Sequence, residues 1–201
     1  MSRSRTRPST LRIGLVTSLI AAAALVGPVA ADAVPSVSLV IDEVYGGGGN
    51  SGSEYTNDFI ELQNRGTAPV TLDGLSLQYT SAAGTATWQV TPLTGSVAPG
   101  AYFVVAEGKG VGGTTPVPSQ LTGTIAMSAT SGTIALVDNT TALGCHDSAA
   151  CGAATVDLVG YGTAVINENA PAVGLDNSHS AGRLPAADTD SNAEDFIARE
   201  P

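Results

Sequence analysis

An all-β fold, layered as a sandwich or a barrel, is what residues 34–201 predict, and three observations carry the prediction. Short runs place apolar side chains at every second position, the period of a strand with one buried face. Clusters of Gly, Pro and Asn divide these runs at short, regular intervals, as in proteins built from many strands. No segment after residue 33 sustains apolar spacing at three and four residues, so helices should be short or absent.

Taken in order, the chain first offers a leader. Arg3, Arg5, Arg7 and Arg12 precede an apolar stretch over Ile13–Val26, shorter than the ~20 residues a membrane span needs. Small residues follow, so residues 1–33 read as a secretory signal peptide cut after Ala31 or Ala33. The remaining 34–201 suffices for one domain with its own core. Ser38–Tyr45 is a β-rich run ended by the glycines 46–49. Asp58–Asn64 sets Ile60 and Leu62 against Glu61 and Gln63. Val70 and Leu72, then Leu75, Leu77 and Tyr79, alternate with a phase slip at Gly74, which marks a bulge or tight bend. Ala101–Glu107, Thr133–Asp138 and Thr155–Tyr161 are further runs; Trp88–Val90 and Leu121–Met127 are weaker ones. Residues 108–120 read as a long loop, and the tail after Asp176 as mostly irregular.

Composition excludes some functions. The whole chain carries a formal charge of −10. Without the leader, Arg65, Lys109, Arg183 and Arg199 face seventeen acids, a charge of −13. Such a surface repels phosphate backbones and anionic lipid, so direct nucleic-acid binding is not expected. Nothing after the leader is long and apolar enough to serve as a transmembrane segment. Cys145 and Cys151 are the only cysteines. In an oxidising space they read as one disulfide closing a short loop; a metal or redox site would want a second pair or a C-x-x-C spacing.

The strings Ile41–Gly52 and Tyr55–Gly66, then Val70–Tyr79, Trp88–Leu93, Val97–Tyr102, Gly123–Ser128, Val156–Gly162 and Asp188–Phe196, together resemble the lamin tail domain family in its secreted bacterial form. The resemblance implies an immunoglobulin-like β-sandwich, mostly antiparallel, and supplies no catalytic residues. It also implies a secreted, extracellular module that binds or tethers a protein or envelope partner. The alternative role is that of an accessory protein to a separate secreted nuclease or phosphoesterase, and a hydrolase in its own right is the remote one.

Catalytic patterns fail on inspection. In Gly49–Ser53, Asn50 stands where a protease-type serine needs an acid before it and Ser53 where it needs a further glycine after it, and no histidine lies nearby in sequence. The four glycines have no G-K-[ST] after them, so they are not a phosphate loop. His146 and His179 read as exposed polar residues. One metal pattern remains: Asp188, Asp190 and Asn192 sit two residues apart, as the first oxygen ligands of a calcium loop do. Ala193 stands where such a loop needs glycine, and Arg199 where it needs a bidentate acid, so an Asx-turn segment is the competing reading. Asp42, Glu43, Asp58 and Glu61 are further oxygen donors that the sequence alone does not bring together. No other cofactor is expected.

Overall fold

A computed structural model describes Met1 and residues 38–185 and 188–201. Apart from Met1, the expected signal peptide lies outside the described residues. Those residues form a mostly β structure of three sheets. The largest has the order β12-β11-β1-β2-β7-β8, with β12 at Phe196–Arg199, β11 at Ser180–Arg183, β1 at Leu39–Tyr45, β2 at Asn57–Asn64, β7 at Tyr102–Lys109 and β8 at Leu121–Thr122. A four-stranded sheet runs β10-β9-β4-β5, from Asp157–Tyr161, Gly132–Val137, Ser76–Ser81 and Gln89–Pro92. β3 (Val70–Thr71) and β6 (Ser96–Val97) make a two-stranded ribbon. Pairing is antiparallel except between β7 and β8. Two short helices, α1 (Ser148–Gly152) and α2 (Asn192–Asp195), complete the described elements.

The inner faces of the two large sheets supply one hydrophobic cluster. Ile41, Ile60 and Leu62 of the six-stranded sheet meet Leu77, Ile134 and Leu136 of the four-stranded one, all fully buried. Each such side chain contributes ~1.5–3 kcal/mol over its exposed state. In β9, Ile134 and Leu136 enter this cluster while Ala135 and Val137 face the other way. A second, smaller cluster covers that outer face, formed with Trp88, Cys151, Leu158 and Ile166. This double cover explains why β9 reads as an unbroken apolar run rather than an alternating one.

Two irregularities in the alternation have physical causes. In β1 the register on β2 shifts between Ile41 and Glu43, a bulge that lets both Ile41 and Val44 point inward. The slip at Gly74 marks a change of sheet: β3 belongs to the ribbon and β4 to the four-stranded sheet. Gly74 itself has φ +89, where a side chain would be strained. The tail after Asp176 departs from expectation, because it forms β11 and β12 and so gives β1 a second neighbour. Ser180-Ala181-Gly182-Arg183 has no alternating bulky residues to announce a strand. Its small residues fit beneath Arg199, whose guanidinium occupies the space a Cβ on Gly182 would fill.

Candidate functional site

The densest polar arrangement lies where β10, β11 and the segment 188–196 meet. β11 ends on Arg183, only 4 % exposed. Its Nη2 donates to Asp157 Oδ1 at 3.0 Å and Oδ2 at 2.8 Å, and its Nε donates to the Ile41 carbonyl at 2.8 Å. Nη1 lies 3.1 Å from Asp188 and 3.5 Å from Asp195, and the guanidinium stacks 4.5 Å above the Phe196 ring. Burial alone would lower the Arg183 pKa, but the surrounding carboxylates, Asp157 foremost, hold it above its ordinary value. Asp157 also accepts from the Ile41 amide at 2.6 Å. Burial raises its pKa to about 6, with Arg183 pulling it back. One cation thus ties β1, β10, β11 and the tail together.

Beside this knot, oxygens of Glu168, Asp188 and Asp190 lie within 4.8 Å of one another. Asp190 N–H donates to Asp188 Oδ1 at 3.3 Å, an Asx turn, and Asp190 has φ 54, a left-handed conformation that aspartate tolerates. Asn192 is spent elsewhere. Its Oδ1 accepts the Gly160 and Glu168 amides at 2.9 and 3.0 Å, and its Nδ2 donates to the Leu158 carbonyl and to Glu168 Oε2. Of the three residues expected to share a cation, Asp188 and Asp190 lie together with Glu168 beside them, and Asn192 is turned away. Burial, then the fields of Asp157 and Asp188, push Glu168 up to about 9, so it is a neutral acid at pH 7.

Of the other oxygen donors, Asp42, Glu43 and Glu61 gather around Arg199, away from Asp58. Asp42 and Glu43 pair with Arg199 at 3.4 and 2.5 Å. Burial, then Asp42 and Glu43, raise neighbouring Glu61 to about 7, with Arg199 opposing. Asp58 points instead into the core, close to Glu107. Cys145 and Cys151 are bonded to each other, with Cα atoms 5.4 Å apart. The bridge closes the loop that carries α1, and Trp88 Nε1 donates to the Cys145 carbonyl at 3.1 Å.

Asp176, Ser178 and His179 place an acid, a hydroxyl and an imidazole in one exposed turn, but not as a nucleophilic relay. Ser178 Oγ donates to Asp176 Oδ1 at 2.8 Å, and His179 Nδ1 contacts the same oxygen at 2.8 Å. The hydroxyl proton is therefore directed at the carboxylate, whereas catalysis needs it on an imidazole nitrogen. The Ser178 amide, His179 and the Ser178 hydroxyl hold Asp176 down to about 2. His146 Nδ1 is bonded to the Gly84 carbonyl at 2.7 Å. The described residues hold no catalytic constellation.

The same end of the structure gathers three loops. Gly112 N–H donates to the Gly49 carbonyl at 2.7 Å, and Gly110 N–H to Thr56 at 3.1 Å. Asn50 Nδ2 donates to Asn177 Oδ1 at 3.1 Å and Asn177 Nδ2 to the Ser51 carbonyl at 3.0 Å, joining the 46–56 and 174–179 loops. Gly48 approaches so closely that a Cβ would sit 1.8 Å from the Asn57 carbonyl carbon. A recess of about 340 Å³ opens between the 46–56 loop, the 174–179 loop and the last two residues, lined by Tyr45, Gly52, Glu54, Ser178, Glu200 and Pro201.

Sequence reasoning missed Arg183 and Glu168. Arg183 left a faint signal, a lone cation among small residues in an acid-rich chain; Glu168, between two asparagines, left none. No helix among the described residues is long and apolar enough to cross a membrane. No curated protein matches the chain. Among solved structures it is similar to a DUF4876 family protein from Bacteroides thetaiotaomicron, with 14% identity over 82% of this chain and 68% of that one and a TM-score of 0.47. The model of the Lamin Tail Domain family matches residues 33–163, more than half of the sequence, and the chain belongs to that family.

Proposed function

We propose that this protein is a secreted, non-catalytic binding module with an immunoglobulin-like β-sandwich scaffold, which tethers a partner at the cell envelope through the three-loop end. The observation that carries this reading is the rigidity of that end. Loop 46–56 is bonded to loop 110–115 on one side and to loop 174–179 on the other, and a recess with exposed Glu54 and Ser178 on its rim opens between 46–56 and 174–179. Recognition residues commonly sit on loops held by a stiff scaffold. The N-terminal leader and the two faced sheets support the secreted and sandwich parts of the reading. The test is saturable retention of one component from envelope material by the immobilised protein. Glu54→Lys with Ser178→Lys, both exposed, should abolish retention with an unchanged circular dichroism spectrum. Equal retention by that variant would refute the assignment of the recess.

Calcium is a second reading, favoured by the convergence of Glu168 with Asp188 and Asp190. Oxygens within 4.8 Å of one another suit a single ion with Ca–O distances of ~2.4 Å. The charge also fits, since with Glu168 neutral four other acids (Asp157, Asp188, Asp190, Asp195) still gather about Arg183, the single cation there among the described residues. An ion would have to displace the proton on Glu168, so binding should strengthen with pH. The expected outcome is a rise in Tm at millimolar calcium that is greater at pH 8 than at pH 6. It should vanish in Asp188→Ala with Asp190→Ala; a Tm indifferent to calcium would remove the reading.

A further inference from the structure

Asp58 of β2 and Glu107 of β7 sit on neighbouring strands and point into the main core, 4 % and 1 % exposed. Both reach across to the irregular segment 123–128, which has few ladder bonds of its own. Glu107 Oε2 accepts the Ile125 amide at 2.9 Å and the Thr91 hydroxyl at 2.9 Å. Asp58 Oδ2 accepts the Met127 amide at 2.8 Å. Tyr79 Oη accepts the Ser128 amide at 3.1 Å, and Tyr161 Oη donates to the Ser128 carbonyl at 2.6 Å. Side chains therefore do for alternate amides of this segment what a neighbouring strand would do in a ladder. The segment in turn delivers Ile125 and Met127 to the core.

By geometry each carboxyl keeps one oxygen, Asp58 Oδ1 and Glu107 Oε1, buried without a hydrogen-bond partner, and the Gly48 and Thr124 amides that also face the pair offset less than burial costs. An ionised carboxylate so placed is poorly compensated. The titratable groups around the pair are Tyr45 of β1, Tyr79 of β4, Tyr161 of β10, and the two acids themselves. No lysine or arginine among the described residues offsets their charge. Thr91 contributes a hydroxyl only. Opening the segment would hydrate both carboxylates at once, whereas closing it requires them neutral or strained.

We propose that Asp58 and Glu107 form a proton-operated latch: protonated, they hold segment 123–128 in the core, and as they lose their protons the segment detaches locally while the sheets stay folded. Burial supports this by raising both acids to about 7. The sign follows from linkage. The closed form binds the protons more tightly than the open one, so closure is strongest at acid pH. It weakens by about tenfold per pH unit for each acid between ~4.5 and ~7, then levels off.

The experiment is hydrogen exchange on the full chain from pH 5 to pH 8, each amide corrected for its intrinsic rate. Protection at Ile125 and Met127 should fall by at least 100-fold between pH 5 and pH 7 and change little above. The Ile134 and Leu136 amides, inside the β4-β9-β10 sheet, should keep theirs. A flat profile at 125 and 127, or an equal loss at 134 and 136, overturns the latch. Carbon-13 titration of the Asp58 and Glu107 carboxyls gives an independent readout. Midpoints near 7 support the proposal, and midpoints near 4 sink it. Asp58→Asn or Glu107→Gln alone should halve the slope of the profile at 125 and 127, and the two together should flatten it; an unaltered profile in a folded variant would also overturn the latch.

Discussion

Replacing Arg183 by methionine should destabilise the protein by about 3–5 kcal/mol at pH 8, the range for breaking a buried ion pair from one side. The structure says why the loss should be that large. Methionine can fill the space over Phe196, but it returns neither the two bonds to Asp157 nor the one to the Ile41 carbonyl. Asp157 would keep only the Ile41 and Leu158 amides, at 2.6 and 2.9 Å. Without its cation it should be driven upward from about 6 and carried as a neutral acid. The penalty should then depend on pH. Above ~6 the parent gains from the ion pair while the variant holds Asp157 protonated, so the difference should widen by ~1.4 kcal/mol per pH unit until Asp157 ionises in the variant too. Urea unfolding of both proteins at pH 5, 6, 7 and 8, with midpoints and slopes fitted, is the assay. A penalty below 1 kcal/mol, or one constant across that range, would show that Arg183 acts by packing and that the ionic account is wrong.

Two other perturbations test the scaffold. Changing Cys145 and Cys151 to serine should cost about 2 kcal/mol, the loop-entropy value for so small a ring. It should also red-shift the emission of Trp88, the sole tryptophan, as the cover over the outer sheet face loosens; unchanged emission and stability would exclude a stapling role. Gly48→Ala should lose more than 2 kcal/mol, because its Cβ would strike the Asn57 backbone at 1.8 Å, and main chain cannot step aside. Gly74→Ala meets nothing within 4 Å and should lose only ~1 kcal/mol from its positive φ. Equal losses in thermal or urea unfolding would mean that the Gly48 contact is not tight.

What was legible in the sequence was whatever one strand can announce by itself. Ile60 against Glu61 declared a face, and Gly74 declared a break, because both follow from a period of two and from backbone sterics. The short Cys145–Cys151 spacing likewise pointed to a bridge within one loop. Features that depend on distant partners gave no such signal. Ser180–Arg183 is a strand only because β1 lies beside it, and Leu121–Met127 stops being one after Thr122 because carboxyls replace its ladder partner. Asp188 and Asp190 advertise an oxygen cluster through their spacing. The third oxygen comes from Glu168, twenty positions upstream, and Asn192 turns away because two buried amides need its carbonyl more than a surface loop does.

Arg183 also bears on where the folded unit ends. The family match stops at residue 163, yet Asp157 within it is buried and its only cation among the described residues is twenty positions past that limit. Asn192, further still, satisfies the Gly160 amide and the Leu158 carbonyl of β10. Cutting the chain at the matched boundary would therefore leave an uncompensated carboxylate and two orphaned backbone groups in β10, and would strip β1 of its partner β11. Each of these defects costs on the order of 1–3 kcal/mol or more, against a total stability of ~5–15 kcal/mol for a domain. The described residues of 164–201 are on these grounds part of the same cooperative structure. The recess proposed for binding depends on it twice over: Ser178 and Glu200 line the recess, and Asn177 ties its loop to Asn50.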